Sequence, residues 1–246
     1  MAKTAGIVVI GNEILSGKVQ DVNAAYLVRE LRILGVDVKK ITVIPDEIDV
    51  IASEVSAFSR QFDVVFTSGG VGPTHDDVTI EGIARALDRP VVRHPELERL
   101  LRSRYSGDLN EARLKLTHVP QGATLVSEDG LWFPVVTIQN IYIFPGIPDL
   151  LRQKFDGIKE RFRDRPFYLR KIYVTESEGS IAECLHEVLQ ELPDLMLGSY
   201  PDLHHPNYKV MLTVESKDEA YVQAAFERLM TLLPQGSIFQ TEPGTV

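Results

Sequence analysis

The stretch Phe62-Asp63-Val64-Val65-Phe66-Thr67-Ser68-Gly69-Gly70-Val71-Gly72-Pro73-Thr74-His75-Asp76-Asp77-Val78-Thr79 joins an apolar run to the start of an amphipathic one. Residues 62–67 read as a short buried strand. The helical pattern beyond the loop places Val78, Ile83, Ala84 and Leu87 inward. Glycines between a strand and a helix let backbone N–H groups approach a ligand closely, and a helix N-terminus adds partial positive charge. The segment is therefore a cradle for an anion such as phosphate. It is not a P-loop, because no Lys-Ser or Lys-Thr follows at the required spacing. Nor is it the dinucleotide fingerprint, because position 75 is His where that motif needs Gly. The Asp76-Asp77 pair beside such a cradle suits Mg²⁺ or another hard cation, which bridges carboxylate and phosphate oxygens. An aspartate at a helix start is equally an ordinary N-cap.

Working outward, residues 6–10 are a continuous apolar run typical of a strand buried on both faces. From Asp21 the period changes: Ala24, Leu27, Val28, Leu31 and Leu34 form one helical stripe, with Asp21 placed to cap and Gly35 to terminate. A strand over residues 36–44 follows, then a helix with Ile48, Ile51, Val55 and Phe58 on one side. This βαβαβα rhythm predicts an α/β fold, a three-layer α/β/α sandwich around a mostly parallel sheet. Ligands in such sheets collect at the carboxyl ends of the strands. Those ends carry Gly11-Asn12-Glu13 with Asp21 and Asn23, then Asp46-Glu47, then the Gly-rich loop. Each carboxylate has a bland reading as a turn or cap residue, but three acidic loops at one sheet edge form a candidate site.

Further on, helical patterns cover residues 95–105 and 109–117, and a hairpin joins 132–138 to 141–144 through Gln139-Asn140. Pro145-Gly146-Ile147-Pro148 breaks the chain before a helix with Leu150, Leu151, Phe155, Ile158 and Phe162. Arg163-Asp164-Arg165-Pro166 reads as a linker, dividing the chain into domains 1–165 and 166–246. The second is a small α+β lobe of order βαββα with a frayed end at residues 241–246. Lys115 reads as a solvated helix residue, His204-His205 as an exposed turn, and Cys184 as a small core hydrophobe.

The chain has 246 residues and a net charge of −9, with 44% hydrophobic and 25% charged residues. That is an ordinary globular composition, and the acidic balance argues against a nucleic-acid binder, which needs a basic face. One cysteine leaves no intramolecular disulfide. No window approaches the ~20 apolar residues of a membrane span, and no secretory leader is visible. A cytoplasmic protein without a membrane partner is expected.

Three segments together resemble the molybdopterin-binding-like domain family: 11–17 through Asn23, 67–79, and Phe144-Pro145-Gly146-Ile147-Pro148. The nearest versions are the N-terminal part of competence/damage-inducible protein A and the N-terminal domain of animal FAD synthases. Thr175-Glu176-Ser177-Glu178 extends the likeness into the second lobe. Asp129-Gly130-Leu131-Trp132-Phe133-Pro134 departs from the bacterial pattern and resembles the FAD synthase version. The resemblance implies a molybdenum-cofactor-biosynthesis type of sandwich in which Asp77 and Asp46 are catalytic and Asp77, Asp76 and Asp46 hold a metal. Gly11, Glu13, Asp21, Asn23, Gly69, Gly70, Gly72, Thr74, Pro145 and Gly146 would bind the ligand, a nucleotide or pterin. It further implies metal-dependent hydrolysis of ADP-ribose or FAD, releasing AMP, with cobalt, magnesium or manganese and with potassium as a further ion. A homo-oligomer is expected. The alternatives are a non-catalytic molybdopterin or nucleotide binding module and a regulatory protein with a vestigial pocket.

Overall fold

Strand β1 (Thr4–Ile10) alternates its side chains across a sheet that is covered on both sides, and this alternation organises the first half of the chain. A computed structural model of the protein describes residues 3–105, 109–127 and 132–244. After β1 come a one-turn helix α1 (Asn12–Leu15), α2 (Asn23–Ile33), β2 (Asp37–Ile44), α3 (Ile48–Gln61), β3 (Val64–Ser68) and α4 (Thr79–Ala86). Then follow β4 (Val91–Arg93), α5 (Pro95–Arg104), α6 (Glu111–Lys115), β5 (His118–Pro120) and β6 (Thr124–Val126). The hairpin β7 (Val135–Ile138) and β8 (Ile141–Phe144) leads into α7 (Pro148–Ile158), which ends in a 3-10 turn (Lys159–Phe162).

The main sheet has the order β2-β1-β3-β8-β7-β6. Its pairs β1/β2, β1/β3 and β3/β8 are parallel, while β7 pairs antiparallel with both β8 and β6. On one face Ile7, Val9 and Phe66 pack with Leu27 and Leu31 of α2 and Phe155 of α7. On the other, Val8, Ile10 and Val65 pack with Ile51, Val55 and Phe58 of α3 and Ile83 of α4. These are the three layers predicted from the alternating periods. The rings of Phe66 and Phe162 meet edge-to-face with centroids 4.9 Å apart. Full burial of each such ring contributes on the order of 1.5–3 kcal/mol. The turn at Gln139 and Asn140 is locked by Asn140, whose side-chain amide donates to the Ser59 and Phe62 carbonyls at 3.0 and 2.8 Å. The small ladder of β4 with β5, and strand β6, have no counterpart in the sequence pattern, because three-residue strands carry too little periodicity.

The chain divides into two compact units, Met1–Asp164 and Arg165–Val246. The second contains β9 (Tyr168–Val174), α8 (Glu178–Glu191), β10 (Met196–Pro201), β11 (Val210–Ser216), α9 (Glu219–Leu232) and β12 (Ile238–Gly244). These strands form an antiparallel sheet of order β10-β11-β9-β12. Ile172, Val174, Leu212 and Val214 are buried with Ile181, Val188 and Leu229 of its helices. The frayed end expected at residues 241–246 is corrected over its described part: Ile238–Gly244 forms β12, which pairs antiparallel with β9 at the edge of the sheet and completes a βαββαβ unit. Pro243 and Gly244 argue against a strand in isolation, yet β12 is an edge strand, where a missing N–H is tolerated. Cys184 is also corrected. It is half-buried rather than a core residue, and its thiol donates to the Leu232 carbonyl at 3.2 Å. The His204-His205 turn is closed by Asp202, whose Oδ1 accepts from both backbone amides at 2.9 and 3.1 Å.

Candidate functional site

The Gly-rich loop leaves β3 through two residues in the left-handed region, Gly69 at φ +105° and Gly70 at φ +63°. A Cβ at Gly69 would collide with the Ile10 carbonyl oxygen, and one at Gly70 with the Thr79 hydroxyl. Glycine is therefore required at both positions by backbone conformation and by close approach. The loop is stitched shut from its far end: Thr79 Oγ1 donates to the Gly69 carbonyl at 2.9 Å and Thr79 N to the Gly70 carbonyl at 3.0 Å.

Neither Asp76 nor Asp77 caps α4. The N-cap position is Val78, with no side-chain cap. Asp77 turns back instead, and its Oδ2 accepts from Thr74 N at 2.8 Å and from the Thr74 hydroxyl. Thr74 in turn offers its carbonyl to Lys115 Nζ at 2.6 Å. The solvated reading of Lys115 is thereby corrected: it anchors the loop from α6.

The loop after β2 reaches across to the loop after β1. Asp46 Oδ2 accepts from Asn12 N at 2.7 Å, so Asp46 does not cap α3, whose N-cap is Glu47. Its other oxygen, Oδ1, lies 3.4 Å from where a Cβ on Gly70 would stand. A cavity of about 570 Å³ opens here, lined by Asn12, Glu13, Ser16, Lys18, Asp46 and Asp76 among others. Three carboxylates against one ammonium make it strongly electronegative. Among the described residues no three His, Cys, Asp or Glu side chains are gathered as a ready-made metal cluster.

The remaining expected ligand residues hold the frame. Asp21 Oδ1 accepts from Asn23 N at 3.0 Å and from Ala24 N at 3.3 Å, closing the first turn of α2 from outside. Asn23 is buried; its amide donates to Ser68 Oγ at 3.0 Å and to the Gly146 carbonyl at 2.8 Å. It thus clasps the ends of β3 and β8 together. A Cβ on Gly146 would stand 3.3 Å from Gly69 Cα, and Gly11 N donates to the Ile44 carbonyl at 3.1 Å.

A second cavity, of about 200 Å³, takes Val71, Gly72, Asp77 and Pro145 on one side. Trp132, Phe133, Glu81, Lys115, His118 and Lys154 complete much of its wall. The structure therefore places Asp76 and Asp77 on different cavities that share the Gly-rich loop as a partition. Lys154 of α7 donates to the Phe133 and Pro134 carbonyls at 2.6 and 2.8 Å. Burial pushes its ammonium down to about 8. Sequence reasoning missed Lys154 and Glu81, since a lone Lys or Glu on a helix carries no local signal. Of the departure noted at 129–134, residues 129–131 lie outside the described residues; Trp132, Phe133 and Pro134 line this cavity.

Residues 6–164 match a family described as a probable molybdopterin binding domain, and residues 166–242 match the middle domain of FAD synthase. A protein of Archaeoglobus fulgidus is 38% identical over 227 residues, which cover 92% of this chain and 96% of that one. A probable FAD synthase of Caenorhabditis elegans is 33% identical over 94% of this chain; the chain spans 50% of its length. The crystal structure of the protein CinA, of unknown function, from Thermoplasma acidophilum superimposes with a TM-score of 0.60 at 27% identity. It covers 65% of this chain and 98% of its own. No helix among the described residues is long and apolar enough to cross a membrane. With more than half its length matched by the first domain and the remainder by the second, the chain belongs to the molybdopterin-binding domain family, in the form that carries an FAD synthase middle domain.

Proposed function

We propose that this protein hydrolyses a nucleotide diphosphate of the ADP-ribose or FAD type, releasing AMP, with a divalent cation at the acidic cavity. One observation carries the reading: loops from three consecutive parallel strands bring Glu13, Asp46 and Asp76 around one cavity beside a glycine cradle. The donor set fits a hard cation. Mg²⁺-like ions are commonly held by one or two carboxylates together with substrate phosphates, not by a full protein cage. Asp46 and Asp76 would hold the ion, with Glu13 beside them. When bound, cobalt, magnesium or manganese would neutralise phosphate charge and lower the pKa of the attacking water.

The chain's own residues do the positioning. The backbone after Gly69 presents N–H groups to one phosphate at the mouth of α4. Thr79, Lys115 and the Asp77–Thr74 pair hold that backbone in place before a ligand arrives, which limits its loss of freedom on binding. Lys18 supplies positive charge to a cavity that otherwise repels a diphosphate.

The test is chromatographic detection of AMP from ADP-ribose and FAD with Co²⁺, Mg²⁺ and Mn²⁺ in turn. Asp46→Asn is expected to lower AMP release by ~100-fold or more, as loss of charge stabilisation in an active site does, and a chelator to abolish it. A non-catalytic molybdopterin or nucleotide binding module is the second reading. It is favoured by the position of Asp77, which faces the other cavity with one oxygen engaged by Thr74. Ligand binding without AMP under every metal decides for it.

A further inference from the structure

Strand β2 is an edge of the main sheet: β1 pairs with it on one side, and among the described residues no strand pairs with it on the other. An unpaired edge invites a further strand, and proteins blunt such edges with short strands, proline, bulges or charge. Glycine weakens a strand as well. The other edges here are blunted in these ways. β4, β5 and β6 have three residues each, β10 contains Gly198 and Pro201, and β12 contains Pro243 and Gly244. β2 has eight residues, and its second half is the uncharged β-branched run Ile41-Thr42-Val43-Ile44. Its two lysines are drawn away from the edge. Lys40 Nζ lies 2.9 Å from Glu54 Oε1 and 4.6 Å from the ring centre of Phe58, both on α3. Lys39 Nζ lies 2.5 Å from Asp37 Oδ2.

The pairing with β1 fixes which backbone groups face out. The Ile44 carbonyl accepts from Gly11 N at 3.1 Å, so Ile44 is turned toward β1. Alternation then turns the N–H and C=O of Ile41 and Val43 to the open side. Consider a second β2 running antiparallel about a two-fold axis at Thr42. Ile41 of each strand then stands opposite Val43 of the other, and residues so opposed exchange both N–H···O bonds. Every outward group of the run is satisfied in that register. An axis at Val43 would set Ile41 against Pro45, which has no N–H. An axis at Ile41 would set Val43 against Lys39, where a bulge breaks the alternation.

Side chains and charge favour the same arrangement. Ile41 and Val43 are in register with Ile7 and Val9, on the α2 face of the sheet, yet they are 47% and 36% exposed. Helices α1 and α2 both neighbour β2, and they leave Leu15 and Ile33 exposed as well. The strand is basic at Lys39-Lys40 and runs into the acidic turn Asp46-Glu47. An antiparallel partner brings a basic end to an acidic end twice over, whereas a parallel one would bring like to like.

We propose that β2 is a homodimer interface, at which two copies of this chain join antiparallel, edge to edge, about an axis at Thr42. The contact is isologous and closes on itself, and it continues two six-stranded sheets as one. Because the paired strands run in opposite directions, the acidic cavities at their carboxyl ends open on opposite edges of the joint sheet. Each cavity stays complete within its own copy, so assembly and turnover are separate questions.

Sedimentation of the full chain should give twice the mass of one copy. Ile41→Pro removes an N–H that faces away from β1, and Val43→Lys puts a charge on the apolar strip. Each should raise the dimer dissociation constant by about tenfold or more while circular dichroism stays unchanged. Thr42→Cys, combined with Cys184→Ser, tests the axis itself. Non-hydrogen-bonded partners have Cα atoms about 4.5 Å apart, within reach of a disulfide. Mild oxidation should therefore link two copies through residue 42, whereas Lys39→Cys in the same background should not link them. A chain that sediments as a monomer, or as an oligomer whose mass neither variant lowers, would overturn the proposal. So would a folded Thr42→Cys chain that forms no covalent dimer, and this result decides the matter even if Ile41→Pro fails to fold.

Discussion

Asp77 directs one carboxylate oxygen at both the amide and the hydroxyl of Thr74, and not at the first turn of α4. Its loss should therefore disturb the loop and leave the helix standing. Asp77→Asn is expected to keep the melting temperature within a few degrees while AMP release falls; a drop in stability of ~1 kcal/mol with unchanged turnover is the signature of a helix cap. Lys154 makes a prediction in pH. Its folded-state value of about 8 lies below the ordinary 10.5, so the unfolded chain binds the extra proton between these limits. Stability then rises with pH across that window. Below pH 8 both states are protonated and the full burial penalty persists; above 10.5 it has vanished. Relative to Lys154→Met, the unaltered chain should gain roughly 1–3 kcal/mol between pH 7.5 and 10.5. Urea denaturation at several pH values measures this, and parallel curves for the two chains would contradict it. The difference in legibility between these residues is physical. Asp46, Asp76 and Asp77 stand in loops at strand ends, where local pattern already suggests chemistry. Lys115 and Lys154 bond carbonyls 41 and about 20 residues away in sequence, a relation that no periodicity records.

At the scale of the element, the turn from β3 into α4 is the part on which both cavities depend. Gly69 and Gly122 provide a matched pair, since both have positive φ but different surroundings. A Cβ on Gly122 meets nothing within 4 Å, whereas one on Gly69 meets the Ile10 carbonyl of the neighbouring strand. Gly122→Ala should then cost only the left-handed strain of ~1–2 kcal/mol. Gly69→Ala should cost that and the displacement of β1 from β3, so its thermal midpoint should lie clearly lower, with AMP release reduced. Equal midpoints would mean that the loop yields around the new methyl group. The long amphipathic helices and the parallel strands were readable because each repeats its period several times, as Ile51, Val55 and Phe58 do on α3. β12 was not readable, because Pro243 and Gly244 contradict local strand preference and only pairing with β9 settles the question.

For the whole molecule, the described residues that line both cavities all belong to the first unit. That unit also closes on itself at its boundary: Asp164 N donates to the Leu34 carbonyl at 2.8 Å, and Asp164 Oδ2 accepts from Lys3 N at 2.9 Å. Each unit has its own buried cluster, with Phe66, Phe155 and Phe162 in one and Ile172, Leu212 and Leu229 in the other. A domain with its own core is expected to fold alone. The chain cut after Asp164 should therefore retain its secondary structure and the metal-dependent release of AMP. Circular dichroism establishes the first and chromatography the second. A truncated chain that folds yet releases no AMP would show that residues beyond 164 are needed for turnover, so that the acidic cavity alone is insufficient.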